Sequence, residues 1–117
     1  MPLRKYAAAL AIVPALALAD SAYQLDLGAE VRGNSLRVEP TVVGPAEKQL
    51  RYEMKVRREG DGRSSNSSQS GTVKLDAQGR GHLASNSVSV SPSDHYEITV
   101  RVFDAGQLVA EQSARYP

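Results

Sequence analysis

The sequence contains no cysteine and no tryptophan, and only 5% of its 117 residues are aromatic. Without cysteine the chain can form no disulfide bond and can offer no thiolate to a metal or a substrate. Its two histidines, His82 and His95, make a poor zinc set by themselves, so we interpret them as surface residues. The fold must therefore be held by an aliphatic core alone.

The first 19 residues have the pattern of a secretory signal peptide. Arg4 and Lys5 precede an apolar run from Tyr6 to Leu18, and residues 17–19, Ala-Leu-Ala, form a small-x-small cleavage site. The alternative is a membrane anchor, but the run is shorter than the roughly 20 residues that span a bilayer, and Pro14 interrupts it. We therefore predict that residues 1–19 are cleaved and that the protein is exported to the periplasm without stable membrane insertion.

The remaining chain, residues 20–117, is long enough for one domain and too short for two. Loss of Arg4 and Lys5, with no acid, changes the formal charge from +1 to −1. A nearly neutral domain has no general affinity for nucleic acid, so any attraction for an acidic partner must come from local clusters of charge. The serine-rich tract GRSSNSSQSG, residues 62–71, must then lie inside this single domain although its composition is that of a linker.

Apolar and polar residues alternate throughout the remaining chain. This period of two predicts strands with one buried face, and no segment sustains a helical period. The seven runs are residues 23–31, 35–43, 49–57, 71–75, 82–90, 95–103 and 107–116. Turn residues such as Gly33-Asn34 and Asp104-Ala105-Gly106 separate them. We predict an all-β fold, a seven-stranded immunoglobulin-like or fibronectin-like antiparallel β-sandwich, with Pro40 at a sheet edge or a bulge.

No group of residues predicts catalysis, a cofactor or a metal. The sequence Ser93-Asp94-His95 contains the residue types of a hydrolase triad, but neighbours in an extended chain point to opposite sides. We interpret residues 91–94 as a turn before a strand. The GDGRSS segment lacks the third glycine and the strand–helix setting of a dinucleotide loop. We therefore expect a binding protein and not an enzyme.

The outward residues of three strands suggest a charged surface. If the third, sixth and seventh runs share a sheet, Arg51, Lys55, Arg57, Arg101 and Arg115 form a basic face, with Lys74 near its edge. The same alternation predicts that Val109, Glu111 and Ser113 are exposed in the last run. The alternative interpretation is an ordinary solvated sheet whose charges prevent aggregation.

Two segments of this chain resemble the curli assembly inhibitors, the CsgC/CsgH family, and the CsgH branch is the more similar. They are RREGDGRSSNSSQSGTVKL and SVSVSPSDHYEITVRVFDAGQLVAEQSARYP. The resemblance covers nearly all of residues 20–117. It implies a small periplasmic β-sandwich in which the serine-rich tract is a loop running into a strand. The CsgC branch carries a Cys-x-Cys pair at about Lys48-Gln49-Leu50, and this chain cannot perform its thiol chemistry.

The resemblance also implies a function. Proteins of this family keep the major curli subunit from forming amyloid inside the cell, and an electropositive sheet face is thought to meet the acidic client. The expected partner is therefore an amyloidogenic curli subunit, unfolded or in an early oligomer, met by a monomer through brief contacts. The candidate client-binding residues are Arg51, Lys55, Arg57, Lys74 and Arg101. The alternative is a structural accessory module of a fimbrial or adhesin system.

Overall fold

The computed structural model describes residues 11–14, 22–60 and 62–117, and in this part of the chain every regular element is a strand. The strands are β1 (Ala11–Pro14), β2 (Gln24–Asp26), β3 (Ala29–Arg32), β4 (Ser35–Val38), β5 (Thr41–Val43), β6 (Gln49–Gly60), β7 (Arg63–Lys74), β8 (Arg80–His82), β9 (Asn86–Ser89), β10 (His95–Asp104) and β11 (Gln107–Tyr116). All the pairings are antiparallel. The all-β prediction is confirmed.

The main sheet has five strands in the order β1-β11-β10-β6-β7. Its long strands follow the predicted alternation, so that one face is buried and the other carries polar side chains. The buried face includes Leu50, Met54, Val56, Ile98, Val100 and Val102. This face forms one wall of the core.

Two three-stranded sheets, β2-β5-β8 and β3-β4-β9, supply the rest of the core. The first two predicted runs each break in two and give one strand to each small sheet, so the strands outnumber the seven predicted. The fifth run supplies β9, whereas β8 begins before that run, at Arg80. The first run breaks at Gly28, whose φ of 58° suits glycine, and the second at Pro40. Pro40 is buried and lies between β4 and β5, each the middle strand of its sheet, so the prediction that its strand lies at a sheet edge or carries a bulge at Pro40 was wrong.

One cluster of buried side chains joins the three sheets. It is almost entirely aliphatic, with Leu36, Val38 and Val42 of the small sheets packed in the same cluster as the main-sheet residues. Burial of each such side chain stabilises the fold by about 1.5–3 kcal/mol. The expectation of a core without tryptophan or disulfides thus agrees with the packing of the described residues.

The serine-rich tract is not a loop. Residues 63–74 form β7, which pairs with β6 without interruption from Gly60↔Arg63 to Gln49↔Lys74. The expectation of a loop running into a strand was wrong because the continuous ladder to β6 holds the tract extended despite its poor strand propensity. Gly71 is the one residue of the tract that is not fully exposed, and it packs against Tyr52. A Cβ there would lie 2.8 Å from the Tyr52 hydroxyl.

The last strand contains a bulge that changes one prediction. Val102 pairs with Ala110 and Phe103 with Leu108, which leaves Val109 as the extra residue. Val109 is therefore buried and not exposed as predicted. Glu111 and Ser113 are half-buried on the polar face.

Of the predicted signal segment, the structure describes residues 11–14, which form β1. Residues 11–14 pair with Gln112–Arg115 of β11, whereas the predicted cleavage site at 17–19 lies outside the described residues. No helix in the described ranges is long and apolar enough to cross a membrane. Cleavage and export remain predictions.

Candidate functional site

The candidate site is the polar side of the main sheet, which we call the outer face. Cross-strand partners point to the same side of an antiparallel sheet, so the register identifies its members. They form rows across β7, β6, β10 and β11: Ser70–Glu53–Arg101–Glu111, Ser68–Lys55–Thr99–Ser113 and Asn66–Arg57–Glu97–Arg115, with Thr72–Arg51–Phe103 at one end and Lys74 opposite Gln49. All five candidate cations therefore lie on one face.

Carboxylates accompany most of these cations. Arg51 lies 3.4 Å from Glu53, and Arg57 2.5 Å from Glu59. Two more ion pairs cross between β10 and β11: Arg101–Glu111 at 2.5 Å and Arg115–Glu97 at 3.2 Å. In the described part of the chain the outer face is thus a mosaic of six cations and four carboxylates, weakly positive and not uniformly basic.

Arg101 differs from the other candidates in its surroundings. Its guanidinium donates to Glu111, whose side chain is only 15% exposed. Reversing this charge would leave a half-buried carboxylate beside another carboxylate, which destabilises a protein. Arg101 therefore has a structural role whether or not it meets a partner.

Lys55 lies at the centre of the face in a row without acids. Its cross-strand neighbours are Ser68 and Thr99, and Thr99 shares a 3.2 Å hydroxyl contact with Ser113. Among the described residues, neither Lys55 nor Lys74 has a carboxylate within 4.0 Å. These two lysines are the cations on the face most available to a carboxylate from another molecule.

Arg51 has an aromatic neighbour. Its guanidinium carbon lies 5.9 Å from the centre of the Phe103 ring, a distance at which the ring face attracts a cation. The contact holds the arginine over β10 and gives this corner an apolar surface beside its charge.

Sequence reasoning missed an ion pair at the opposite side of the sheet. Arg58 donates to the buried Asp94 carboxylate through Nε at 2.7 Å, and its Nη2 lies 2.6 Å from the same oxygen. The hydrogen bond to Asp94 and its charge raise the pKa of Arg58. Asp94 thus anchors the turn before β10 to β6, which agrees with the interpretation of residues 91–94 as a turn.

In the Ser93-Asp94-His95 sequence, the carboxylate of Asp94 pairs with Arg58. His82 and His95 are both exposed, and Nδ1 of His95 lies 3.4 Å from the backbone oxygen of Pro117. Within the described ranges no three His, Cys, Asp or Glu side chains are grouped as metal ligands would be. The chemistry of the described surface is that of charge and hydrogen bonding.

The chain matches the family of thin aggregative fimbriae synthesis proteins, Tafi-CsgC, over residues 16–114. It belongs to this family. The Escherichia coli curli protein CsgC is 25% identical, with a TM-score of 0.61, and the match covers 77% of this chain and 96% of that one. The solution structure of R. palustris CsgH is 18% identical, with a TM-score of 0.58, and the match covers 77% of this chain and 87% of that one. No curated protein sequence matches the chain.

The ion pairs along β6 could have been predicted from the sequence. Arg51-Tyr52-Glu53 and Arg57-Arg58-Glu59 place opposite charges two positions apart on one strand, and therefore on one side of the sheet. The ion pairs between β10 and β11 needed the register, which the turn at Ala105-Gly106 sets. Both residues have positive φ, 50° and 84°, as a tight type I′ hairpin requires.

Proposed function

We propose that this protein is an exported, periplasmic inhibitor that keeps an amyloidogenic curli subunit from assembling prematurely. The observation that carries the proposal is the family match over residues 16–114, since the curli protein CsgC belongs to the same family. We interpret the three sheets as an immunoglobulin-like sandwich that presents the outer face to its client.

The outer face suits brief contacts. An exposed ion pair contributes only about 0–1 kcal/mol, so a client carboxylate can replace Glu53 or Glu59 at small cost. Lys55 and Lys74 need no exchange at all. Weak, short-lived binding is enough if the target is a rare nucleus, because one inhibitor molecule then acts on many in turn.

Inhibition by this protein must use surface and shape. Amyloid grows by addition of strands to an open edge. A folded domain that covers such an edge and offers no equivalent continuation stops the addition. The absence of cysteine means that thiol exchange contributes nothing here.

The test is the kinetics of amyloid formation by a purified curli subunit, followed with an amyloid-binding dye. Residues 20–117, added far below the subunit's concentration, should lengthen the lag phase. High salt should weaken the effect, once its own influence on fibre growth is subtracted, because charges are screened over about 3 Å at 1 M. An unchanged lag phase refutes the proposed function.

Export is part of the proposal and has its own test. A reporter that is active only in the periplasm, fused after residue 117, should be exported and should lose residues 1–19. Replacement of Arg4 and Lys5 by glutamate should reduce export. Cytoplasmic retention of the unmodified fusion would contradict the localisation.

The second candidate is a structural accessory module without anti-amyloid activity. The long edge strand β7 favours it, since such an edge can hold a partner by strand addition. A stable complex of fixed stoichiometry on copurification, with no change in the lag phase, would support this candidate instead.

A further inference from the structure

Strand β7 ends the main sheet, and no other strand of the described residues pairs with its far side. It is 12 residues long, pairs with β6 on one side and is last in the order of its sheet. Every residue from 62 to 70 is exposed, so this half of the strand lies beyond the cover of the small sheets. Long open edges bind other strands unless something prevents it.

The register shows which backbone groups face outward. The Leu75 amide donates to the Lys48 carbonyl at 2.9 Å, so this pair is hydrogen-bonded. Hydrogen-bonded and non-hydrogen-bonded pairs alternate in an antiparallel ladder, and the β6–β7 register has no shift. The outward N–H and C=O groups in the exposed part of the strand therefore belong to Ser64, Asn66, Ser68 and Ser70.

None of the usual protections is present along this stretch. Between Arg63 and Lys74 the strand has no proline, no charged residue and no bulge, and its side chains are serine, asparagine, glutamine, glycine, threonine and valine. Hydroxyl and amide side chains form favourable pairs with similar groups on a neighbouring strand. The edge thus favours an uncharged polar partner.

Charge argues against a second copy of this chain as that partner. Two β7 strands paired antiparallel near full overlap would bring Lys74 of one beside Arg63 of the other at both ends. Lys55 and Arg57 lie one strand inward, opposite Ser68 and Asn66, and add to the positive potential along the edge. A segment with acidic ends is complementary where a second copy is repelled.

We propose that the free edge of β7, from Ser64 to Ser70, binds an extended polypeptide segment as an added strand. The segment consists of uncharged polar residues with a carboxylate near each end. This inference rests on the geometry of β7 and does not require the proposed role in curli assembly.

The test uses amide hydrogen exchange, resolved by residue, on residues 20–117. The probe is a synthetic peptide as long as β7 that alternates threonine with serine and asparagine and has aspartate at each end. In the free protein the amides of Ser64, Asn66, Ser68 and Ser70 should exchange fast, while those of Ser65, Ser67 and Gln69 are slower. Saturating peptide should slow the first group by about tenfold or more. Unchanged exchange refutes the proposal.

Two substitutions separate strand addition from side-chain contact. Ser68→Pro removes one outward N–H and leaves the hydrogen bonds to β6 in place, so it should weaken peptide binding about tenfold or more. Ser68→Ala keeps that N–H and removes only one side-chain pair, so it should weaken binding far less than Ser68→Pro does. Asn66→Pro repeats the test at the next outward position if the first variant does not fold. Equal binding by the folded proline variants refutes the proposal.

The remaining outcomes decide the occupant. A peptide with lysine at both ends should bind more weakly than the aspartate peptide, and equal binding would contradict the charge argument. Protection of the same amides that rises with protein concentration in the absence of peptide would show that a second copy occupies the edge. The protein tested lacks residues 11–14, which pair with Gln112–Arg115 in the structure, so this edge of β11 could also accept a strand. Protection confined to Gln112–Arg115 would place the added strand on β11 and refute the assignment to β7.

Discussion

The two strands of the β6–β7 hairpin are equal in length and opposite in character. Each has 12 residues, and each residue of one is paired with a residue of the other. Strand β6 buries Leu50, Met54 and Val56, whereas ten of the residues of β7, 63–70, 72 and 74, are exposed. The same ladder therefore joins a strand that stabilises the core to a strand that offers its surface.

The difference shows that pairing and packing contribute separately. Alternate residues of β7 hydrogen-bond to β6, but the side chains of β7 add almost no buried apolar area. A strand held in this way opens at lower free energy than the core strands. Stability of the whole domain should respond to β6, and binding should respond to the outer face and the edge.

The largest expected effect on stability comes from truncating, one at a time, the two residues of a single cross-strand pair. Met54 is buried and lies opposite the exposed Gln69. Met54→Ala should lower the free energy of unfolding by about 2–5 kcal/mol because it leaves a cavity. Gln69→Ala should change it by less than about 0.5 kcal/mol. Urea unfolding measures both, and similar losses would contradict the comparison.

A second pair of substitutions compares a buried and an exposed carboxylate near the end of β6. Asp94 is a buried acceptor for Arg58, while Glu59 forms an exposed ion pair with Arg57. Asp94→Ala should lower Tm by several degrees because it removes the anchor of the turn before β10. Glu59→Ala should leave Tm nearly unchanged. Thermal unfolding followed by circular dichroism decides, and equal shifts would show that burial of the carboxylate is unimportant here.

The smallest expected effect on stability concerns the turn that follows the C-terminal end of β7. Asp76 follows β7 and accepts hydrogen bonds from the amides of Arg80 and Gln78, which hold its pKa below the usual 3.8. A lowered pKa in the folded state stabilises the fold above the unfolded value, and this stabilisation is lost as pH falls through the folded pKa. The advantage of the unmodified protein over Asp76→Asn should therefore shrink between pH 7 and acid below pH 3.8. Urea midpoints at the two pH values measure it, and a constant difference would contradict the prediction.

Much of the main sheet follows from the sequence because alternation is a local signal. The buried positions of β6 and β10, including Leu50 and Ile98, have the predicted side of the sheet. Val109 does not, because a bulge shifts the phase of the last strand by one residue. Nothing in QLVAEQSARY indicates where a bulge falls, since its position depends on the partner strand.

The small sheets and the site were harder to predict, for different reasons. The first two runs are divided at Gly28 and Pro40. Glycine and proline also occur inside strands at bulges, so their presence alone does not predict a break. The serine tract misled because composition favours a loop, whereas pairing with β6 is a tertiary effect. The shared face of the candidate cations followed from alternation, but its carboxylate partners on β11 depend on a register that alternation does not set.

Charge reversal is the sharpest test of the proposal that the outer face of the main sheet inhibits amyloid growth. Arg101 is unsuitable because it neutralises Glu111, so the variant is Lys55→Glu, Arg57→Glu and Lys74→Glu combined. The matched control reverses three exposed arginines of the small sheets, Arg32, Arg37 and Arg80. Both variants change the net charge equally, and circular dichroism and Tm should show that both fold.

The measurement is the lag phase of a curli subunit with each folded variant at the same low ratio. If the cations of the outer face attract the client, the outer-face variant should leave the lag close to that of the subunit alone. The control variant should delay assembly as the unmodified protein does. If the outer-face variant inhibits with unmodified potency, or the control loses potency equally, the outer face is ordinary solvated surface and the account is wrong.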